Sequence, residues 1–75
     1  MTADERKRIE YFAFVVEVYK AEKGLSGKQA YGYLRQTGAD AYIYDLYDLL
    51  HVHGTEYLMA DLDEYLEGKN EGTRI

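Results

Sequence analysis

Two histidines, His51 and His53, and fourteen carboxylates are the side chains of this 75-residue sequence whose type and spacing could do chemistry; there is no cysteine. Without a thiol, a cysteine nucleophile, a disulfide framework and a cysteine-ligated zinc site are excluded. The two imidazoles could be offered to a metal. Alternate residues near a helix end diverge, however, and a transition-metal site needs three or four converging ligands. His51 is therefore read as a helix cap, its ring bonding free carbonyls where positive charge suits the C-terminal dipole. His53 is read as a loop residue. Asp61 and Asp63 have half the look of a calcium loop but lack its glycine and its later glutamate. They fit better as first-turn acids or a cap. Asp45 with Asp48, and Glu64, lie on helix faces, which do not supply the contrasting environments that split two carboxylates into an acid and a base. Leu25-Ser26-Gly27-Lys28 lacks the preceding strand and the glycine spacing of a phosphate loop. No catalytic, cofactor-binding or metal-binding residue is assigned, and a non-enzyme with no cofactor is expected.

The elements that must position any surface are easier to read. Thr2 with Glu5, and Ser26 with Gln29, fit capping boxes; Asp40 and Thr55 can each open a helix. Gly24, Gly38, Gly54 and Gly68 follow the apolar-periodic stretches, where a left-handed residue ends a helix. Four helices are predicted, over 3–23, 27–37, 41–52 and 56–67, with an irregular lead-in at 57–60 as the alternative start of the last. The expected fold is all-α, a small bundle of four short helices around an apolar first helix. It forms a single domain over 1–68, followed by a frayed tail over 69–75.

In the third helix Ile43, Leu46, Tyr47 and Leu50 form one inward stripe, with Asp45 and Asp48 outward. The fourth presents Leu58, Leu62, Tyr65 and Leu66 inward, with Glu56, Asp63, Glu64 and Glu67 outward. The second, weakened by Gly32, depends on docking Ala30, Tyr33 and Leu34. The first helix carries two apolar stripes: Ile9, Phe12, Val16 and Tyr19, and Tyr11, Val15 and Val18 with Phe14 beside them. Three short neighbours are not expected to cover both, so the second stripe is assigned to an interface with a second copy or a partner. Tyr11, Tyr31 and Tyr44 fall off the core stripes, and exposed aromatics are enriched at binding hot spots.

Charge is unevenly spread. Residues 1–35 hold seven basic and five acidic side chains, whereas 36–68 hold eight carboxylates and neither lysine nor arginine, within a net charge of −5. An acidic half repels a polyanion, so nucleic-acid binding is not expected. No stretch reaches the ~18 apolar residues of a membrane span, and residues 1–8 are too charged for a secretory signal. A cytoplasmic protein without a membrane partner is expected.

Leu25-Ser26-Gly27-Lys28, Leu50-His51 followed by Gly54 and Tyr57, the run Asp61-Leu62-Asp63-Glu64-Tyr65-Leu66, and an aromatic first helix ending in Tyr19-Lys20 together resemble the bacterial domain of unknown function 3791 family. The resemblance covers about residues 9–67; no block in it is a catalytic signature. It implies a small helical bacterial protein with no assigned activity, and a cognate, antitoxin-like role beside a neighbouring ADP-ribosyltransferase-like protein. His53 and the high tyrosine count depart from the family pattern.

The reading is a non-enzymatic interaction module that homodimerises or docks a cognate bacterial protein through Tyr11, Phe14, Val15, Val18 and Tyr44. Asp45, Asp48, Asp63, Glu64 and Glu67 would steer a basic partner. The alternative is a helix-turn-helix DNA-binding regulator built from helices two and three, in which helix two bears only Lys28 and Arg35 as cations. A metal-dependent activity at His51 and His53 is the weakest reading.

Overall fold

A computed structural model describes the backbone of residues 1–74 and the side chains of residues 1–68. Among the described residues it is all helix: α1 (Ala3–Lys23), α2 (Gly27–Gln36), α3 (Ala39–Asp45), α4 (Tyr47–Leu50) and α5 (Thr55–Arg74), with no strand. α1 packs against α2 and α3, and α3 packs against α5.

The helix starts follow from local chemistry. Ser26 Oγ accepts from Gln29 N–H at 3.1 Å while Gln29 Oε1 accepts from Ser26 N–H at 2.9 Å, a complete capping box at the start of α2. Thr2 makes only half of one. Its hydroxyl accepts from Glu5 N–H and donates to the Glu5 carboxylate. Gly24 ends α1 at φ 66° and Gly38 joins α2 to α3 at φ 81°, left-handed conformations that glycine adopts without steric cost.

Three expected boundaries are corrected. Gly38, not Asp40, is the residue that opens α3, and Asp40 lies in its first turn, where its carboxylate accepts from Ala41 N–H at 2.9 Å. Gly54 is not left-handed. It lends its carbonyl to Leu58 N–H at 3.1 Å and so opens α5 one residue ahead of Thr55; residues 57–60 are regular helix. Gly68 ends nothing, because α5 runs through it to Arg74. The side chains of 69–75, on which the expectation of a frayed tail falls, lie outside the described residues.

The expected third helix is two. Leu46, at φ −98° and ψ 15°, leaves helical geometry, donating back to the Tyr42 carbonyl while its own carbonyl accepts from Leu49 and Leu50. Arg8 holds this break from the far end of α1. Its guanidinium donates to the Tyr44 carbonyl at 2.6 Å, to Asp4 at 2.9 Å and to Asp48 at 3.3 Å. It also lies 5.4 Å from the ring centroids of both Tyr44 and Tyr47. A carbonyl released by the interrupted helix thus gains a charged donor.

One core joins the helices: Val15, Val16 and Tyr19 of α1, Ala30 and Leu34 of α2, Ala39 and Ile43 of α3, Leu50 of α4, and Leu58, Leu62 and Leu66 of α5. Lys23 of α1 bonds Asp63 of α5 at 3.1 Å. Tyr42 stacks on Tyr65, ring centroids 4.1 Å apart, and donates to Asp61 at 2.6 Å, locking α3 to α5. Burial first, and then this bond to Asp61, push the Tyr42 hydroxyl well above the usual tyrosine range.

Candidate functional site

Helix α1 has 21 residues, about 31 Å at 1.5 Å per residue, against about 15 Å for the ten residues of α2. The core residues of α1 begin at Val15. N-terminal to Val15, Arg8, Tyr11 and Phe12 pack against Tyr44, Tyr47 and Tyr31, whereas Ile9 and Phe14, on other positions of the helix, stay exposed at 47% and 48%.

Ile9 opens a groove between α1, α2 and α3 of about 430 Å³. Phe12, Tyr31 and Tyr44 line it with Ile9, and the Phe12 and Tyr31 rings lie 5.9 Å apart. Exposed Ala41 adds a small side chain to the lining. Arg35, Asp40 and Asp45 supply the polar groups. Arg35 is engaged within the chain: it donates to the Tyr31 hydroxyl at 3.1 Å and lies 3.7 Å from Asp40. Tyr31 raises the Arg35 pKa further by accepting that bond.

Phe14 belongs to a separate depression, shared with Tyr11, Tyr47 and His51. Tyr11 meets Tyr47 edge to face at 5.4 Å, and burial first, then Tyr47, raise the Tyr11 pKa. His51 stacks on Tyr47 with centroids 4.3 Å apart. Its Nδ1 lies 2.7 Å from the Tyr47 carbonyl, which can only accept, so Nδ1 carries the hydrogen. His51 thus caps α4 as its residue type suggests. His53 stacks on Tyr57 at 4.1 Å. Among the described residues no group of three or more histidine and carboxylate side chains is placed to hold a metal ion.

The structure divides the residues that the sequence groups as one interaction face. Val15 is fully buried, so it is a core residue and not an interface residue; Val18 is half-buried. Ile9, assigned to the inward stripe, is the one that faces outward. Tyr11 and Phe14 line the second depression, whereas Tyr44 and Asp45 line the groove. The acidic residues separate as well. Asp48 is bound by Arg8 and Asp63 by Lys23, a bond that raises the Lys23 pKa. Asp63 and Glu67 line a polar depression with Tyr19, Lys23 and Tyr33, and Glu64 is exposed on α5. Ile9, Tyr31, Arg35, Asp40 and Ala41 were not grouped as a surface by the sequence. The available signal was the placing of Tyr31 and Tyr44 off the core stripes.

A family model described as a protein of unknown function, DUF3791, matches residues 10–69. The chain belongs to this family. The matched segment contains every core residue and the whole Phe14 depression except Lys7; Arg8 and Ile9 precede it. The DUF3791 match thus covers the body of the bundle. No curated protein and no solved structure matches the chain. Among the described residues of this DUF3791 protein, no helix is long and apolar enough to cross a membrane.

Proposed function

We propose that this DUF3791 protein is a non-enzymatic interaction module that docks another protein through the apolar surface of α1. The observation that supports the reading is the near-half exposure of both Ile9 and Phe14 on a helix whose Val15, Val16 and Tyr19 lie in the core. Apolar side chains gathered in aromatic-lined depressions are a usual mark of a protein contact. Charge supports a basic partner: of the eight carboxylates in residues 36–68, Asp45, Glu56, Glu64 and Glu67 are exposed and form no ion pair with a cation among the described residues. The helix-turn-helix alternative would make α3 the recognition helix. α3 has seven residues, two of them aspartate and none basic, which weighs against it.

The partner class to test first is the ADP-ribosyltransferase-like protein implied by the family resemblance, in a cytoplasmic bacterial setting and an antitoxin-like role. Calorimetric titration of the two proteins at micromolar concentration in low salt is expected to show saturable association, weakened by Ile9→Asp or Phe14→Asp. Absence of heat, together with a molar mass that never exceeds the monomer's, overturns the module reading.

A further inference from the structure

The groove between α1, α2 and α3 has a definite chemical character. We propose that it receives a cationic segment of a partner protein, with an apolar side chain seated among Ile9, Phe12, Tyr31 and Tyr44 and an arginine or lysine on Asp45. This inference rests on the interaction reading and specifies the occupant.

The groove, about 430 Å³ in volume, is open to solvent, and its lining is largely aromatic and aliphatic. Burial of one large apolar side chain there removes exposed surface from Ile9 and Tyr31, which are 47% and 45% exposed. The charge at the edge sets the sign of the neighbour. Of the three charged residues lining the groove, Arg35 and Asp40 face each other at 3.7 Å. Asp45 is exposed, and no cation of the chain forms an ion pair with it among the described residues. The nearby Arg8 spends its donors on Asp4, Tyr44 and Asp48. A guanidinium or ammonium from outside the chain would pair with the Asp45 carboxylate, and an apolar neighbour would exclude water from the pair.

A second copy fits this groove poorly. A two-fold contact applies the same patch to both subunits, and each patch carries two carboxylates, Asp40 and Asp45, against the single cation Arg35, which already faces Asp40, so two patches of net negative charge would meet. The net charge of −5 adds to that repulsion.

The test uses the full chain and a phage-displayed library of random 12-residue peptides. Selected peptides are expected to combine an aromatic or branched aliphatic residue with arginine or lysine. Their affinity for Asp45→Lys is expected to fall at least tenfold, and for Ala41→Trp, which fills the groove from an exposed position, to be lost. Ile9→Ser serves as a second groove variant if Ala41→Trp does not retain its helical circular dichroism. Failure to select any peptide, selection of acidic or uncharged sequences, or unchanged affinity for the groove variants overturns the inference. So does a dimer that Ala41→Trp dissociates, which would make the groove a self-interface. Peptides whose binding is lost only in Phe14→Asp would leave the module reading standing and move its contact to the other depression.

Discussion

Replacing Val15 and Phe14 by alanine should separate core from surface on a single helix. Val15 is fully buried and Phe14 is 48% exposed. Val15→Ala deletes two buried methyl groups, worth about 0.8 kcal/mol each in transfer, and leaves a cavity that adds to the loss. Alanine returns about 0.5 kcal/mol through its better helix propensity. The net cost is about 2 kcal/mol, which for a domain of this size lowers Tm by about 8–16 °C. Phe14→Ala loses only partial burial and gains the same propensity, so its effect should stay within about 1 kcal/mol. The assay is thermal and urea unfolding followed at 222 nm for the wild type and both variants. A larger loss for Phe14→Ala than for Val15→Ala, or an unchanged Tm for Val15→Ala, would refute this assignment of the inward face of α1.

Other outcomes follow from single contacts. Gly32 is an interior residue of α2 with nothing within 4 Å of an added Cβ, so Gly32→Ala should stabilise by about 0.5–1 kcal/mol. Gly38→Ala should destabilise by about 1–2 kcal/mol, because φ is 81° and the new Cβ would meet the Tyr65 hydroxyl at 3.4 Å; urea midpoints that move in the same direction for both would contradict the backbone assignment. Tyr42 holds its proton more tightly in the fold than in the unfolded chain, chiefly through burial and then through Asp61. Above about pH 10 the unfolded state therefore binds fewer protons, and stability should fall with rising pH, having been fully present below that value. Urea titrations from pH 8 to 11 should show this fall, and Tyr42→Phe should flatten it in part; Tyr11 and Tyr19, also raised chiefly by burial, keep some of the slope. An equal slope in Tyr42→Phe would contradict the assignment. Arg8→Met should raise amide hydrogen exchange across residues 46–50 by freeing the Tyr44 carbonyl; unchanged exchange would show that Arg8 does not hold the break.

Much of this fold is legible where local chemistry and long-range packing agree. Ser26 with Gln29 caps α2, Gly24 and Gly38 take left-handed conformations, Leu58, Leu62 and Leu66 face the core, and His51 caps its helix. Each depends on neighbours within a few residues or on one dominant stripe. The break at Leu46 is different. It is supported by the Arg8 guanidinium, 36 residues before the Tyr44 whose carbonyl it bonds, which no window of sequence around Leu46 contains. Glycine after a periodic stretch is also ambiguous: Gly54 lends a carbonyl to the following helix and Gly68 is simply helical, because nothing local forces φ positive there.

The candidate surface is less legible for a geometric reason. α1 is apolar nearly all round, so periodicity yields two stripes of similar weight and does not say which faces inward. Tertiary packing decides it: Val15, Val16 and Tyr19 enter the core, while Ile9 stays exposed in the groove beside α2 and α3. Tyr31 and Tyr44, set off the core stripes by their spacing, do line a surface, yet they join Ile9 and Phe12 rather than Phe14. The eight carboxylates of residues 36–68 likewise read as one acidic face until Arg8 and Lys23 are seen to take Asp48 and Asp63.

The central claim, that α1 presents a docking surface for another protein, is tested most directly by the molar mass in solution. Light scattering on the untagged wild-type chain, alone across a concentration series and mixed with the ADP-ribosyltransferase-like protein, should give an 8.7 kDa monomer and a one-to-one complex that Ile9→Asp weakens. A mixture that remains two separate species at micromolar concentration would contradict it.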